Sequence, residues 1–406
     1  MKILIISQYY DPEQFQINEI APSLVNEGHE ITVLCGLPNY PEGKIYKGYL
    51  FGRRREVLNG VTIKRCCQFP RGRGKIGLIL NDVSYMITAS LYVLFIRKQY
   101  DLVFCYQLSP ITMAIPAIIY KKITKCNLLL YCLDIFPESV LSHVNRGSRL
   151  FRIVARISQK IYGSCDKIAV SSRPFIQYIS DENNVEKDKL VYIPQHASSE
   201  MLKNDYSSPK RSEVHFMFAG NIGYAQDLET LINACVLIPS ASFVLDIVGD
   251  GSKRKELETL VRKNDLTSKV VFHGKKKRNE MPEIYKQADV LVITLRGDNR
   301  VGDTMPGKLQ TYMTVGKPIV GAINGAAKEV IAEAGCGECV NSGDAVGLSK
   351  AMLHLINHRE LHKKYGENAR AFFRSNFTLE CYMEQLNRSI TELQVMKKNE
   401  RKRNSK

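Results

Sequence analysis

Glycines follow strand-like apolar runs at several points in the second half of this 406-residue chain. A glycine in that position lets the backbone approach a ligand closely, and a helix that begins there directs its free N–H groups and the positive end of its dipole toward an anion. We therefore predict a site for a nucleotide or a sugar phosphate at the carboxyl edge of a sheet. The glycine-marked loops are Gly220-Asn221-Ile222-Gly223, Gly249-Asp250-Gly251, Gly274 and Pro306-Gly307-Lys308.

Basic side chains near these loops could neutralise the anion. Lys308 is the first candidate, because it stands at the predicted start of a helix, where its ammonium group and the helix amides can meet the same phosphate. Arg296 and Arg300, in the loop before that helix, are the next candidates. For all three residues the alternative is an ordinary solvated surface charge.

A carboxylate in the first half of the chain is a second candidate for chemistry. Asp134 directly follows the apolar run 128–133 and precedes Phe136-Pro137-Glu138. A carboxylate at a strand end could orient or deprotonate the hydroxyl group of an acceptor. Asp is equally suited to capping the segment that follows, and both interpretations stay open.

The elements that must position these residues alternate along the chain. Short β-rich runs are separated by helical patterns in both halves, which predicts two parallel, doubly wound sheets. The predicted strands are 2–7, 30–35, 61–66, 102–106, 127–133, 167–171, 190–193, 215–219, 243–248, 269–273, 290–294 and 318–322. The predicted helices are 19–26, 111–122, 149–162, 228–234, 253–262, 281–287, 307–315 and 345–357.

The pattern breaks in a polar stretch near residues 186–212, and 406 residues are too many for one ordinary core. We predict an N-terminal Rossmann-like domain over residues 1–190 and a second over residues 191–379, facing each other across a ligand-binding cleft. A helix at about 380–396 is expected to pack back on the first domain. Residues 397–406 are predicted to form a basic tail.

Charge and cysteine content narrow the class of protein. The net charge is +16, and residues 1–190 carry 25 Lys and Arg against 16 Asp and Glu. Such a surface favours anionic lipid headgroups as partners. Nucleic acid is not expected, since there is no Trp for base stacking and no recognition module. Eleven scattered cysteines indicate buried thiols in a reducing cytoplasm, without a disulfide framework.

Two further patterns are weighed as sites. Residues 76–96 are long and apolar, but Asn81, Asp82 and Ser84 leave a clean stretch shorter than the roughly 20 residues that span a bilayer. We favour a packed helix whose basic flanks, Arg73, Lys75, Arg97 and Lys98, rest on a membrane surface, and a span remains the alternative. Three histidines recur every four residues but lack further ligands, so no metal site is predicted: His354, His358 and His362.

Several motifs, taken in order, resemble a known family. Phe-Ala-Gly-Asn-Ile-Gly (218–223), Val-Gly-Asp-Gly (248–251), Val-Phe-His-Gly (271–274) and the segment 308–319 are similar to the second domain of the GT-B glycosyltransferases of family four. The first domain resembles that family through residues 7–13, 28–33, 38–43 and 134–138, so the resemblance covers nearly the whole chain. Pro38-Asn39-Tyr40-Pro41 is similar to the polysaccharide and O-antigen subgroup that includes fucosamine transferases.

The resemblance implies an activity, partners and a location. It implies the transfer of a sugar, such as an N-acetylated amino or deoxy sugar, with retention of the anomeric configuration. The expected donor is linked to a nucleotide diphosphate, UDP being the expected nucleotide, and no metal or other cofactor is expected. The expected acceptor is an undecaprenyl-diphosphate-linked oligosaccharide in O-antigen, capsule or exopolysaccharide synthesis. The expected location is the cytoplasm, peripheral to the inner face of the cell membrane. A nucleotide-sugar epimerase of the same fold and a noncatalytic scaffold remain alternatives.

The resemblance also implies roles for individual residues. The expected catalytic set is Asp134, Lys308 and Arg296. Tyr224-Ala225-Gln226-Asp227 stands where many members carry Arg and Lys, and Asp303 and Thr311 stand where members often carry paired glutamates. The expected donor-binding residues are Gly220, Asn221, Gly223, Gly249, Gly274, Asp303, Thr304, Gly307, Leu309 and Thr311.

Overall fold

The computed structural model describes residues 1–72, 74–96, 98–140, 145–238, 242–297 and 303–404. Three residues considered above, Arg73, Arg97 and Arg300, lie outside these ranges. The chain divides into two units, one made of Met1–Gln195 with Tyr382–Lys406 and the other of His196–Cys381.

The first unit is built on a sheet of eight strands in the order β3-β4-β2-β1-β5-β6-β7-β8. All neighbouring strands are parallel except β3 and β4. The central strands are buried on both faces, because helices cover both sides of a parallel sheet. The strands are β1 Lys2–Ile6, β2 Glu30–Cys35, β3 Arg55–Leu58, β4 Val61–Arg65, β5 Leu102–Gln107, β6 Asn127–Cys132, β7 Lys167–Val170 and β8 Leu190–Tyr192.

Five helices accompany this sheet before the chain leaves the unit. One core cluster contains residues of the second to the fifth, including Tyr85, Ala117, Tyr162 and Phe175, so these four pack against the same side of the sheet. The helices are α1 Ile17–Asn26, α2 Lys75–Leu94, α3 Ile115–Thr124, α4 Arg149–Gly163 and α5 Pro174–Asn183.

The second unit is built on a sheet of six parallel strands in the order β11-β10-β9-β12-β13-β14. Its strands are β9 Val214–Ala219, β10 Phe243–Val248, β11 Val270–Gly274, β12 Val290–Thr294, β13 Ile319–Ala322 and β14 Gly337–Val340. Its helices are α6 Leu228–Val236, α7 Arg254–Lys263, α8 Met281–Lys286, α9 Gly307–Val315, α10 Ala326–Ala334, α11 Ala345–Asn357 and α12 Glu360–Asn376. Both units are doubly wound α/β domains, which confirms the predicted fold class.

The last helix, α13 Leu379–Asn404, brings the chain back to the first unit. The Tyr382 ring packs edge-on against Tyr131, with 5.4 Å between centroids. The Asn127 side-chain amide donates to the Leu393 carbonyl at 2.7 Å. This helix continues into the segment predicted as a basic tail from residue 397 and ends at Asn404.

Candidate functional site

Three glycine-marked loops of the second unit meet through their backbones at the carboxyl edge of its sheet. The Gly220 N–H donates to the Val248 carbonyl at 2.9 Å, and the Gly249 N–H donates to the Gly274 carbonyl at 2.9 Å. The Ile222 N–H donates to Asp250 O at 2.9 Å. The loops after β9, β10 and β11 thus form one connected rim, as the sequence predicts.

Some of these glycines are required by contacts between the loops themselves. A Cβ at Gly249, where φ is +142°, would lie 1.8 Å from the Gly220 carbonyl oxygen. A Cβ at Gly251 would lie 2.3 Å from the Ile222 carbonyl oxygen. Gly223 leaves room for the Asn221 amide, whose nitrogen would lie 2.6 Å from an added Cβ. The contact between the two loops is therefore enough to explain why residue 249 is a glycine, without any contact to a ligand.

Gly249→Ala is expected to lower the free energy of unfolding by about 2–4 kcal/mol, because it adds both backbone strain and a clash with Gly220. Chemical denaturation measures this change. Gly343→Ala is the matched control, because Gly343 also has a positive φ, +80°, but no atom within 4 Å of the added Cβ. Its expected cost is about 1–2 kcal/mol, and equal losses in the two variants would contradict the loop-contact argument.

Helix α9 presents an open N-terminus. Its N-cap residue, Pro306, makes no side-chain cap, and no atom of the described residues lies within 4 Å of a Cβ added at Gly307. The first N–H groups of a helix have no partner inside the helix, so an uncapped and open N-terminus favours an anion. Sequence analysis predicts the same start for this helix.

The Lys308 side chain reaches from the first turn of α9 to the loop after β9. Its Nζ donates to Gln226 Oε1, lies 4.0 Å from the centre of the Phe218 ring and would lie 3.2 Å from a Cβ added at Gly220. Burial lowers the pKa of Lys308 to about 7. The ammonium group thus has a neutral hydrogen-bond acceptor and an aromatic ring around it, and the described residues contain no carboxylate paired with it. A bound diphosphate would supply the missing negative charge.

This pKa predicts pH-dependent donor binding. A bound diphosphate should raise the pKa of Lys308 above its free value of about 7, so binding takes up a proton between the two values. The dissociation constant of a nucleotide sugar should therefore rise above pH 7, by up to about tenfold per unit. Titration calorimetry in buffers of different ionisation enthalpy measures the proton uptake. A pH-independent constant with no proton uptake would contradict the assignment.

Arg296 is held by several contacts within the second unit, and its role at the donor site stays a prediction. Its guanidinium lies 3.7 Å from an Asp227 oxygen and 3.6 Å from a Glu229 oxygen. It also stacks on the Tyr224 ring at 4.0 Å, and its Nε donates to the Tyr224 carbonyl at 3.1 Å. Two carboxylates thus lie near the charge of Arg296, and its contacts with Tyr224 join it to the 3₁₀ turn Tyr224–Gln226.

Gln226 is the residue that sequence reasoning missed. Arg296 N–H donates to Ala225 O at 3.0 Å, and the Thr294 hydroxyl donates to the Gln226 carbonyl, so the end of β12 holds this turn in place. This turn places the Gln226 side chain where its Oε1 accepts a hydrogen bond from Lys308 Nζ. The departure from the family pattern at residues 224–227 marks the position, but the contact with Lys308 joins residues too far apart for spacing to show it.

The remaining donor candidates of the second unit differ in how far a ligand can reach them. The Leu309 side chain is fully buried in the core, and its N–H donates to Pro306 O at 2.9 Å, so a donor contact of its side chain is not supported. Thr311 Oγ1 lies 3.5 Å from Gly307 O, one turn back in its own helix. Asp303 and Thr304 are partly buried just before α9. Their roles stay predictions.

In the first unit, Asp134 is partly buried and accepts hydrogen bonds from neighbouring groups. Burial raises its pKa, while hydrogen bonds from the Ser139 and Ser109 hydroxyls and the Ile135 N–H act in the opposite direction. Glu138 is tied to Arg146 by an ion pair and accepts from the Tyr178 hydroxyl at 3.0 Å. Both interpretations of Asp134, capping and acceptor binding, stay predictions.

A buried carboxylate that sequence reasoning did not select holds the loop after β2. Glu13 Oε1 accepts the Asn39 N–H at 2.7 Å and the Tyr40 N–H at 2.6 Å. Burial raises the pKa of Glu13 to about 7. The Tyr9 and Phe15 rings stack beside it, with 5.4 Å between centroids. The Pro-Asn-Tyr-Pro segment is therefore fixed by a side chain of the loop after β1.

No group of three or more His, Cys, Asp and Glu side chains is placed to hold a metal ion within the described ranges. The histidines of the 354–362 repeat have separate partners. His354 Nδ1 contacts Glu338, His358 Nδ1 contacts Glu360, and His362 Nε2 contacts the Leu355 carbonyl.

The second unit matches a family model. Residues 202–372 match the model described as "Glycosyl transferases group 1", and this segment lies wholly within residues 196–381. A relative from Escherichia coli (strain K12), named "Putative colanic acid biosynthesis glycosyl transferase WcaI", is 22% identical over 338 residues, which are 78% of this chain and 82% of that protein. These matches support a group 1 glycosyltransferase.

Solved structures share the fold. Sucrose-phosphate synthase from Thermosynechococcus elongatus has a TM-score of 0.73 at 15% identity and covers 97% of this chain and 99% of its own. HepE from Anabaena, in complex with UDP, has a TM-score of 0.68 at 15% identity, with coverage of 97% and 100%. At these identities the likeness concerns the fold, and it agrees with the GT-B class predicted from the sequence.

Proposed function

We propose that this chain is a glycosyltransferase that moves a sugar from a nucleotide diphosphate to a lipid-linked oligosaccharide, and the group 1 match of residues 202–372 supports this proposal. The extended oligosaccharide would become part of a bacterial surface polysaccharide, and the transfer would take place at the inner face of the cell membrane. The observation that carries the proposal is the meeting of Lys308, Gly220 and the open N-terminus of α9 at one sheet edge.

The donor half of the proposal rests on charge. A leaving diphosphate needs positive groups that are already in place as the bond to the sugar breaks. Lys308 and the first N–H groups of α9 supply a cation and aligned donors at one point. HepE, which shares the fold, was solved with UDP bound, and this favours UDP as the first nucleotide to try.

The acceptor half of the proposal rests on the first unit. Asp134 stands at the end of β6 with a raised pKa, where it is a candidate to orient an acceptor hydroxyl. The relative from Escherichia coli carries colanic acid biosynthesis in its name, which favours a polysaccharide intermediate as acceptor. An undecaprenyl diphosphate carrier would place the acceptor sugar beside the membrane.

The finer features are also part of the proposal. Transfer should retain the anomeric configuration, proceed without a metal ion and use an N-acetylated amino sugar or a deoxy sugar of the kind fucosamine transferases use. Proton coupling constants of the product anomeric centre report retention or inversion. Undiminished transfer in a chelator would support metal independence, and rescue by a divalent cation would contradict it.

A thermal-shift screen with UDP, GDP, dTDP and CMP tests the donor site first, because a ligand that binds only the folded state raises the melting temperature. One diphosphate should stabilise the protein, and Lys308→Ala should remove the shift. Stabilisation by none would contradict the donor site and favour a noncatalytic scaffold. Release of an epimerised nucleotide sugar without an acceptor would instead favour an epimerase.

A further inference from the structure

Helix α2 has two faces of opposite environment. Asn81, Tyr85, Ala89 and Val93 are buried, and the last three belong to the core of the first unit. The opposite face exposes large apolar side chains to solvent: Ile76, Ile79, Leu80, Val83, Ile87, Leu91 and Leu94, followed by Phe95, with exposed fractions from 42% to 81%. Among the described residues, α2 is the helix that is long and apolar enough to cross a bilayer. Its buried face, however, packs against the core of the first unit.

Helix α4 repeats this arrangement with charge added. Leu150, Ile153 and Ile157 are 54%, 52% and 36% exposed and form one stripe at spacings of three and four residues. A parallel stripe of exposed arginines runs beside it: Arg149, Arg152 and Arg156. The helix contains no acidic residue, and these arginines have no ion-pair partner in the part of the chain that the structure describes. Apolar and basic stripes side by side are typical of helices that lie in a membrane interface.

The two helices belong to one layer. Buried residues of both, such as Tyr85 of α2 and Tyr162 of α4, are in the same core cluster on one side of the sheet. Both also contact the short 3₁₀ segment Ile111–Ala114. Their exposed faces therefore lie on the outer surface of the same helical layer, where a flat partner can reach both.

A basic groove adjoins α2. Lys64, Lys98 and Phe95 are among the residues that line a groove of about 600 Å³ between β4 and the second half of α2. Burial, together with the charges of Arg55 and Lys98, lowers the pKa of Lys64. An anionic group in this groove would relieve that repulsion, and lipid phosphates lie at the depth where apolar side chains enter a bilayer.

We propose that the exposed faces of α2 and α4 form a docking surface for an anionic phospholipid bilayer, with α2 lying in the plane of the interface. The apolar stripes enter the headgroup region, and the arginines of α4 bind lipid phosphates. Charge favours this occupant over a second copy of the chain, because self-association through this face would bring the unpaired arginines together. This inference rests on the proposed function, because a transferase with a lipid-linked acceptor has to bind the membrane.

Vesicle co-sedimentation tests the surface without donor or acceptor. Wild type should bind phosphatidylcholine vesicles that contain phosphatidylglycerol much more tightly than vesicles of phosphatidylcholine alone. Arg149→Glu/Arg152→Glu/Arg156→Glu should weaken binding about 100-fold, since each basic residue near the surface contributes roughly fivefold. The apolar variant Ile79→Ser/Ile87→Ser/Leu91→Ser should also lose binding while its melting temperature stays close to that of wild type, because these side chains are exposed.

A charge-matched control uses exposed basic residues of α7 in the second unit: Lys255→Glu/Arg262→Glu/Lys263→Glu. It changes the net charge equally and should keep most of the vesicle binding. Equal losses in the two charge variants, or undiminished binding of the serine variant, would overturn the proposal. Release from membranes by detergent but not by high salt or carbonate would also overturn it, in favour of a span.

Transfer to a water-soluble acceptor analogue separates this inference from the proposed function. The α4 charge variant should transfer sugar to that analogue at the wild-type rate and lose activity only on a bilayer-borne acceptor. Loss of both activities would overturn the docking role, because the arginines would then act in the reaction itself. Absent transfer by wild type with intact vesicle binding would contradict the proposed function and leave the docking surface standing.

Discussion

Lys308→Ala is expected to lower kcat/KM for sugar transfer by about 100-fold or more, the scale of losing one charged contact to a developing anion. The variant also removes the Nζ contacts with Gln226 and Phe218, but it leaves the open N-terminus of α9. Nucleoside diphosphate affinity should fall together with turnover. Steady-state kinetics and direct binding measure the two effects separately.

Lys317→Ala is the matched control for this variant. Lys317 is also a buried lysine of the second unit, burial lowers its pKa to about 8, and its Nζ contacts Ser208, but it follows the far end of α9. Its loss should reduce stability and leave donor affinity within about threefold of wild type, because no donor contact is removed. Normal kinetics in a folded Lys308→Ala variant, or equal effects in both, would contradict the donor-site assignment.

Glu13→Ala is expected to lower the free energy of unfolding by about 2–4 kcal/mol, because it leaves one buried and one partly buried N–H group without an acceptor and a buried one costs about 1–3 kcal/mol. Those groups are the amides of Asn39 and Tyr40, which both donate to Glu13 Oε1. The loop after β2 should lose its fixed conformation as well. Chemical denaturation gives the free energy, and amide hydrogen exchange at residues 39 and 40 gives the local effect.

Glu13→Gln separates the hydrogen bonds from the charge, since the amide keeps one oxygen acceptor in place. It should cost no more than about 1 kcal/mol. Burial raises the pKa of Glu13 from 4.5 to about 7, so the folded protein holds an extra proton between these values and the free energy of unfolding falls as pH rises through that window. Glu13→Gln should flatten this slope. Equal destabilisation by alanine and glutamine would contradict the acceptor role.

The sheet was predictable where strands are buried on both faces. Phe243–Val248 and Val290–Thr294 were predicted with the observed bounds, because a largely apolar run after a loop leaves few alternatives. Of the four edge strands that the structure describes, β8 and β11 were predicted and β3 and β14 were missed. Arg55–Leu58 is mostly exposed and carries Arg and Glu, and Gly337–Val340 is partly exposed along its length, so neither shows the apolar run of a central strand.

The sequence predicted those parts of the site that depend on where a residue stands in its own helix or strand. The sequence placed Lys308 in the first turn of a helix and glycines after strands, and the fold brings Lys308 to Gly220. It could not show that Arg296 is balanced by Asp227 and Glu229, because these contacts are formed only when β12 and β9 become neighbours. Nor could it show that the Leu309 side chain is buried in the core, because burial depends on which face of α9 packs inward.

Helix α13 has a consequence for how this protein can be produced and divided. Residues 1–195 leave the ribosome long before residues 382–404, yet Tyr131 and Asn127 acquire their partners Tyr382 and Leu393 only from that later segment. The sheet of the first unit must therefore wait for the whole second unit to be synthesised before its packing is complete. A fragment cut at the boundary after Gln195 would be an unfinished domain, and gene fusions that exchange the second unit would have to keep both flanking segments.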